Sequence, residues 1–261
     1  PIRIRMNPDF RTRSELAVDV ARKAGELALG YFQGEVAVET KADLSPVTIA
    51  DRSAEELVRK IVAQHFPNDG FLGEEFGDQP GSSGYRWVID PIDGTKPFIR
   101  GVPLWGTLIG VEYRDECVAG AAFAPALGTM WHAVRGGGAF RDGKPIRVSP
   151  EGSLAKSLFC FSGVNWFRAA GKEAAFLDLC SATGQQRGWG DFYGFVLVAQ
   201  GSAELMVDTG VHPWDVAALI PIVEEAGGTM TDWTGRTTIH RPDVLASNGK
   251  LHAEALRILS R

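Results

Sequence analysis

Apolar residues recur at helical spacing in the opening segment. Leu16, Ala17, Val20, Ala21, Ala24, Leu27, Ala28, Tyr31 and Phe32 form one stripe that runs up to Gly34. Thr12 and Glu15 match a capping box ahead of it. A second helix is predicted over about 51–66, with Ser53 and Glu56 as its capping box and Leu57, Ile61 and Val62 inward; Pro67 stops the next turn. Between 70 and 149 the pattern changes to β-rich runs: GFLG, YRWVID, LWGTLIGVEY, CVAGAAFAP and TMWHAVR. Turn dipeptides such as RD and DG part them, and GGG at 136–138 bends a strand end. After 150 helix and strand alternate. A helix is expected at about 172–182, another in DFYGFVLVAQG, a strand in AELMVD, and one helix through PWDVAALIPIVEEAGG. In that last helix Pro213 stands in the first turn and Gly227 follows the end. A strand near 229–233, a short VLASNG segment and a helix from about 250 close the chain. The order predicts stacked α and β layers. A break near 150, at VSPEGS, divides an N-terminal α+β part (1–150) from a C-terminal α/β part (151–261) within one compact unit.

The chain has 261 residues, 44% of them hydrophobic, enough for one large core. No apolar run approaches the ~20 residues of a membrane span, and PIRIRMNPDF lacks a signal-peptide core, so a soluble cytoplasmic protein is expected. A net charge of −5 argues against a nucleic-acid partner. It leaves room for a phosphorylated small molecule if metal ions supply positive charge. The three cysteines, Cys117, Cys160 and Cys180, are odd in number and lack ligand spacing; they read as buried thiols in a reducing compartment. The five histidines show no HExxH and no i,i+4 pair, which leaves no zinc pattern. His212, beside Pro213, reads as structural although it stands near other candidates.

Acids recur where the chain turns: Asp51, Glu74–Glu75, Asp90 with Asp93, and Asp215. Singly, each also suits a helix cap or a solvated turn. The pair in RWVIDPIDGTKPFIRG is harder to dismiss. Pro91 fixes φ, so the chain leaves its strand in a stiff direction that lets both carboxylates face one point. The Ile92 carbonyl adds a neutral oxygen, and hard divalent cations such as magnesium require such an all-oxygen shell. Two acids so close repel unless a cation lies between them or one stays protonated. Gly94 permits close backbone approach, and Thr95 supplies a hydroxyl and an amide where exposed N–H groups cradle an anion. Metal-assisted phosphate chemistry needs that combination.

WVIDPIDGTKPFIRG and PWDVAALIPIVEEAGG resemble the two signatures of the inositol monophosphatase family, magnesium-dependent and lithium-sensitive phosphatases. GEE at 73–75 and SPVTIAD at 45–51 resemble its two smaller ones, all in family order over nearly the whole chain. The resemblance implies a layered α-β-α-β-α sandwich and a homodimer. It implies that Glu74, Asp90 and the Ile92 carbonyl hold one magnesium ion, that Asp90, Asp93 and Asp215 hold a second, and that a weaker third lies near Glu74. Manganese is the expected substitute. The Gly94 and Thr95 amides would grip the phosphate, Asp51 and Thr95 would flank the attacking water, and Glu74 would help deprotonate it through its metal. Paired metals lower the pKa of a water and neutralise a leaving alkoxide. The polar stretch 34–50, with KADLSPVT, is expected to form a loop over the metals.

Family membership fixes a reaction, not a substrate. GTKPFIRGVPLW and RGWGDFYGFVLVAQG are closer to the histidinol-phosphate phosphatase branch than to the inositol one, although Pro97 departs from both. Histidinol phosphate carries an ammonium and an imidazole. An acid on the pocket wall would pair with the first, and an aromatic neighbour in Asp191–Phe192–Tyr193 would pack on ring or cation. Asp191 is the candidate acid, and it also suits a helix N-cap. Asp208 matches the place of a hydroxyl-binding acid in inositol enzymes and would serve the second nitrogen group. Arg187 matches a family arginine at the pocket or dimer edge and equally suits a structural ion pair. The expected activity is magnesium-dependent release of histidinol and phosphate, with a broad inositol or sugar monophosphatase as the alternative.

Overall fold

The computed structural model describes residues 7–32, 38–40 and 46–260. Helix α1 (Pro8–Leu29) begins a turn before its predicted cap. Asn7 caps it by accepting the Asp9 N–H at 2.9 Å, and Pro8 occupies the first turn, where its missing N–H costs nothing. Thr12 is therefore interior, its hydroxyl donating to the Pro8 carbonyl at 3.1 Å. The helix closes at Gly30, not Gly34; Phe32 lies in the turn beyond and packs on Phe98 and Trp105 at 5.6 and 5.5 Å between ring centroids. A short antiparallel pair, β1 (Val38–Thr40) and β2 (Pro46–Thr48), leads into α2 (Ile49–His65). This helix also starts before its predicted box, which leaves Ser53 and Glu56 inside it. Its buried stripe is Ala50, Asp51, Ala54, Glu55, Val58 and Val62, two acids among apolar residues. The loop expected over 34–50 lies for most of its length outside the described residues.

The first sheet comprises β3 (Gly70–Gly73), β4 (Gly77–Gln79), β5 (Tyr85–Asp93), β6 (Gly106–Tyr113), β7 (Glu116–Ala124), β8 (Thr129–Val134), β9 (Gly138–Arg141) and β10 (Lys144–Pro145), with the short helix α3 (Thr95–Ile99) between β5 and β6. Their order is β10-β9-β8-β7-β6-β5-β3-β4, antiparallel throughout except for the parallel β3/β5 pair. Arg114–Asp115 and Asp142–Gly143 make two-residue hairpins with φ of 51°, 65°, 50° and 74°, the left-handed geometry that suits strand twist. Alternation then sorts the side chains by face. Trp87, Ile89, Ile109, Val111, Ala121 and Phe123 meet α1 and α2. Val88, Leu108, Ala122, Trp131 and Ala133 line the other face. Arg13 ties α1 to the sheet: it lies over Phe66 and Tyr85 and forms a two-point bond to buried Asp69 at 2.8 and 3.0 Å.

The second sheet has β11 (Leu158–Cys160), β12 (Gln185–Arg187), β13 (Leu205–Thr209), β14 (Thr229–Thr231) and β15 (Asp243–Ser247), in the order β12-β11-β13-β15-β14. Helices α4 (Val164–Ala169), α5 (Glu173–Ala182) and α9 (His252–Leu259) cover its outer face, where Phe159, Leu205 and Leu245 pack on Phe167, Phe176, Leu179 and Leu259. Its inner face, with Met206, Val244 and Ala246, shares one cluster with the first sheet through α6 (Asp191–Ala199), α7 (Pro213–Val216) and α8 (Leu219–Glu225). The layers therefore run α-β-α-β-α. Among the described residues no helix is long and apolar enough to cross a membrane.

The predicted single helix over PWDVAALIPIVEEAGG is two, broken at Ala217–Ala218. Pro221 has no N–H to give the Ala217 carbonyl four residues back, so the ladder is interrupted there. The break lies flat on the sheet, where Gly110 and Gly120 face each other across β6 and β7. A Cβ at Gly120 would come within 2.0 Å of the Ala218 carbonyl oxygen, and one at Gly110 within 2.8 Å of the Ala217 Cβ. Two glycines thus admit the segment that carries Asp215 down to the end of β5.

Candidate metal and phosphate site

β5 ends in a bulge. Asp90 pairs with Leu108 but Asp93 pairs with Gly106, so three steps on β5 match two on β6. In a regular strand, residues three apart face opposite sides; the extra residue brings both carboxylates to the same side. Pro91, with no N–H to lose from the ladder, sits in the bulge, and the Thr107 hydroxyl donates to its carbonyl at 2.7 Å. Asp215 arrives from α7, held by the His212 N–H donating to its Oδ2 at 2.7 Å. One carboxylate oxygen each from Asp90, Asp93 and Asp215 lies within 4.8 Å of the others.

Glu74 follows β3, its N–H donating to the Ile89 carbonyl at 3.2 Å. The next residue is fixed from behind, because buried Glu55 accepts the Glu75 N–H at 2.7 Å and is itself paired with Arg59 at 2.7 Å. Beyond Asp93 the chain turns at Gly94, whose φ of 83° favours glycine, into α3. A Cβ there would sit 3.0 Å from the Leu104 carbonyl. The Thr95 hydroxyl donates to the Ile92 carbonyl at 3.1 Å.

Negative charge is concentrated here. Burial pushes the Asp90 carboxyl well above the usual range, and the charges of Glu74, Asp93, Asp215 and Asp51 push it further. Asp93 is raised by burial and then by Asp191 and Asp215, against the Phe192 N–H that donates to it at 2.6 Å. Asp90 Oδ1 is buried with no hydrogen-bond partner. Among the described residues no lysine or arginine forms an ion pair with Asp90, Asp93 or Asp215. An orphaned oxygen in an all-carboxylate cluster fits a hard divalent cation, which supplies the missing charge and the missing partner at once.

The cluster opens into a cavity of 390 Å³ lined by Glu74, Asp90, Ile92, Asp93, Gly94, Thr95, Lys96, Ser162, Trp166, Asp191, Phe195, Asp208 and Asp215, among others. Asp51 stands behind it in the first turn of α2, buried, within charge range of Asp90. Asp191 is not the helix cap; Gly190 holds that place. Asp191 opens α6 with φ 51°, an αL conformation that an aspartate tolerates at a cost, and its N–H donates to Ser162 Oγ at 3.0 Å. Burial, then Asp215, raises its carboxyl to about 6 against the pull of Lys96. Burial raises Asp208 to about 7, although the Ser162 hydroxyl and the Thr209 N–H donate to it.

Ten of the eleven sequence candidates therefore gather at or behind one cavity. Arg187 does not: its guanidinium is exposed, donating to the Gln186 carbonyl at 2.8 Å and lying over Trp189. The expected aromatic neighbours also fall elsewhere. Phe192 points into the core against Trp131, and Tyr193 does not line the cavity. The aromatic wall is Trp166, which the sequence reading missed, as it missed Ser162 and Glu55. Glu55 left a signal, an acid on the inward stripe of α2; Ser162 and Trp166 left none. Cysteine chemistry is absent from the site, where no cysteine lines the cavity, and burial raises all three thiols, Cys160 to about 12.

Residues 9–261 match the inositol monophosphatase family. The chain is 46% identical over 235 residues to a histidinol-phosphatase of Chlorobaculum parvum, covering 90% of this chain and 89% of that protein. It is 40% identical to a histidinol-phosphatase of Streptomyces coelicolor, covering 97% and 99%. Among solved structures, an inositol monophosphatase from Zymomonas mobilis superposes with a TM-score of 0.86 at 31% identity, covering 98% and 100%.

Proposed function

The chain belongs to the inositol monophosphatase family and is a phosphatase, and from that premise we propose that its substrate is histidinol phosphate, cleaved to histidinol and inorganic phosphate. The observation that carries the choice of substrate is the half-buried Asp191 carboxyl beside Gly94, where a Cβ on the glycine would lie 3.4 Å from Asp191 Oδ2. In histidinol phosphate the ammonium sits on the carbon next to the one bearing the ester oxygen. An acid beside the phosphate cradle is where that ammonium must fall, and inositol offers only hydroxyls there. Pairing would restore the charge that burial disfavours at Asp191. Asp208, further along the wall, serves the second nitrogen group.

Glu74, Asp90 and the Ile92 carbonyl would hold one magnesium ion, Asp90, Asp93 and Asp215 a second, and Glu74 a weaker third, with manganese as a substitute. Such ions would neutralise the phosphate oxygens and the departing oxygen and favour hydroxide over water at neutral pH. The chain's own groups do the rest. The Gly94 and Thr95 amides orient the phosphate. Thr95 Oγ1, with its hydrogen committed to the Ile92 carbonyl, accepts from the attacking water, and Asp51 takes up the proton. The new water–phosphorus bond forms as the ester bond breaks in line, and the departing alkoxide takes a proton from solvent. We read the active unit as a homodimer.

Parallel phosphate-release assays on histidinol phosphate and inositol 1-phosphate test the substrate. The expected kcat/KM ratio is about 10–100 in favour of histidinol phosphate, since a charge-assisted bond to the acid is worth about 1.5–3 kcal/mol. A ratio near one returns the chain to the broad monophosphatases. No release from any monoester under saturating magnesium points to a phosphate-binding protein without catalysis.

A further inference from the structure

Trp166 lines the cavity yet remains 45% exposed. A core tryptophan would be covered, and an exposed one at a ligand site is a face held ready for a partner. The ring is nonetheless fixed. Its benzo edge rests on Gly210, where a Cβ would come within 3.2 Å and where φ of 82° favours glycine. The Lys96 ammonium lies 4.8 Å from its ring centroid, a cation–π contact from the residue after Thr95. Its backbone N–H donates to the Gly163 carbonyl at 3.2 Å, anchoring the residue at the start of α4. A second hollow, lined by Lys96, Gly163, Val164, Asn165 and Ala169, also borders Trp166. Trp166 thus borders two open spaces, with Lys96 and Gly210 against its ring.

Resting on the histidinol phosphate reading, we propose that Trp166 is a specificity-determining residue whose indole receives the imidazole ring of the substrate. With phosphate at Gly94–Thr95 and ammonium at Asp191, the ring must lie along the remaining wall of the cavity, where Asp208 and Trp166 stand. Among the described residues, two aromatic side chains line that cavity, Trp166 and Phe195; Phe195 is only 2% exposed, so Trp166 is the accessible one. Lys96 over the indole holds the ring in place.

The test compares histidinol phosphate with O-phosphoethanolamine, which keeps the same ammonium-to-ester spacing and lacks the ring. Trp166→Ala is expected to lower kcat/KM for histidinol phosphate about 10-fold while that for O-phosphoethanolamine stays within about twofold, as for an aromatic contact worth 0.5–1.5 kcal/mol beyond its area. Trp166→Phe should recover most of the loss. Trp166→Leu, which keeps apolar bulk without an aromatic face and guards against misfolding of the alanine variant, should resemble Trp166→Ala. An equal fall on both esters, or none on histidinol phosphate, overturns the assignment. Wild-type protein inactive on histidinol phosphate would instead remove the substrate reading itself, and this inference with it.

Discussion

Asp90→Asn should lower kcat/KM for phosphate release by at least about 10³-fold and at the same time raise the melting temperature of the magnesium-free chain. Activity falls because the corner loses the carboxylate shared by both proposed ions; stabilisation of charge in phosphoryl transfer is worth several kcal/mol, about a factor of ten for each 1.4. Stability rises because Asp90 is buried, its carboxyl is held well above the usual range first by burial and then by Glu74, Asp93, Asp215 and Asp51, and its Oδ1 has no partner. A neutral amide of the same shape relieves that repulsion and offers a donor to its neighbours. For a chain this long each kcal/mol relieved shifts the midpoint by roughly 2–4 °C. Asp69 shows why the pairing of effects is diagnostic. It is buried too, and burial pulls its carboxyl up, yet bonds from Arg13, Ser83 and Trp87 at 2.8, 2.6 and 2.9 Å outweigh burial and hold it below the usual range. An acid built for structure is satisfied in this way; Asp90 is not. Thermal unfolding with and without chelator, beside initial-rate assays, reads both effects. A lower midpoint in the metal-free variant would mark Asp90 as structural.

Asp191→Asn should raise KM for histidinol phosphate about 10–100-fold, the loss of a charge-assisted bond worth 1.5–3 kcal/mol, and leave KM for a monoester without nitrogen nearly unchanged. Asparagine is the informative replacement. It keeps the shape, and it tolerates the φ of 51° that the chain adopts at this position. The backbone N–H to Ser162 and the Phe192 N–H to Asp93 persist, so the proposed metal corner keeps its anchor to α6. A residue in the left-handed region at a cavity wall stores strain, and the proposed contact with the substrate ammonium would account for it. Equal increases for both esters would show that the substitution disturbs the phosphate or metal sites and would remove the selectivity argument.

Stacked α and β layers were legible because helical and alternating apolar spacing mark nearly every element, and the hairpins at Arg114–Asp115 and Asp142–Gly143 carry turn residues suited to them; the α-β-α-β-α order came from the family resemblance. Boundaries were less legible. Thr12–Glu15 alone read as the start of α1, whereas the asparagine cap at Asn7 with proline after it sets the observed start. The split at Ala217–Ala218 was hidden because the stripe continues through it, while Pro221 and the glycine pair on the sheet decide the geometry. Asp90 and Asp93 stood out as a pair, but a proline turn does not disclose a bulge that adds one residue to β5. Trp166 and Ser162 could not be found at all. Their place at the cavity depends on contacts with Lys96, Gly210 and Asp208 from distant parts of the chain, which no local pattern encodes.

Manganese is the most direct probe of the claim beneath all of this, that acids from β5 and α7 converge to hold divalent ions. Anomalous diffraction from manganese-soaked crystals should place at least one strong peak among the carboxylates of Asp90, Asp93 and Asp215, lost in Asp90→Asn. A clean map at that corner from protein that still releases phosphate would contradict the account.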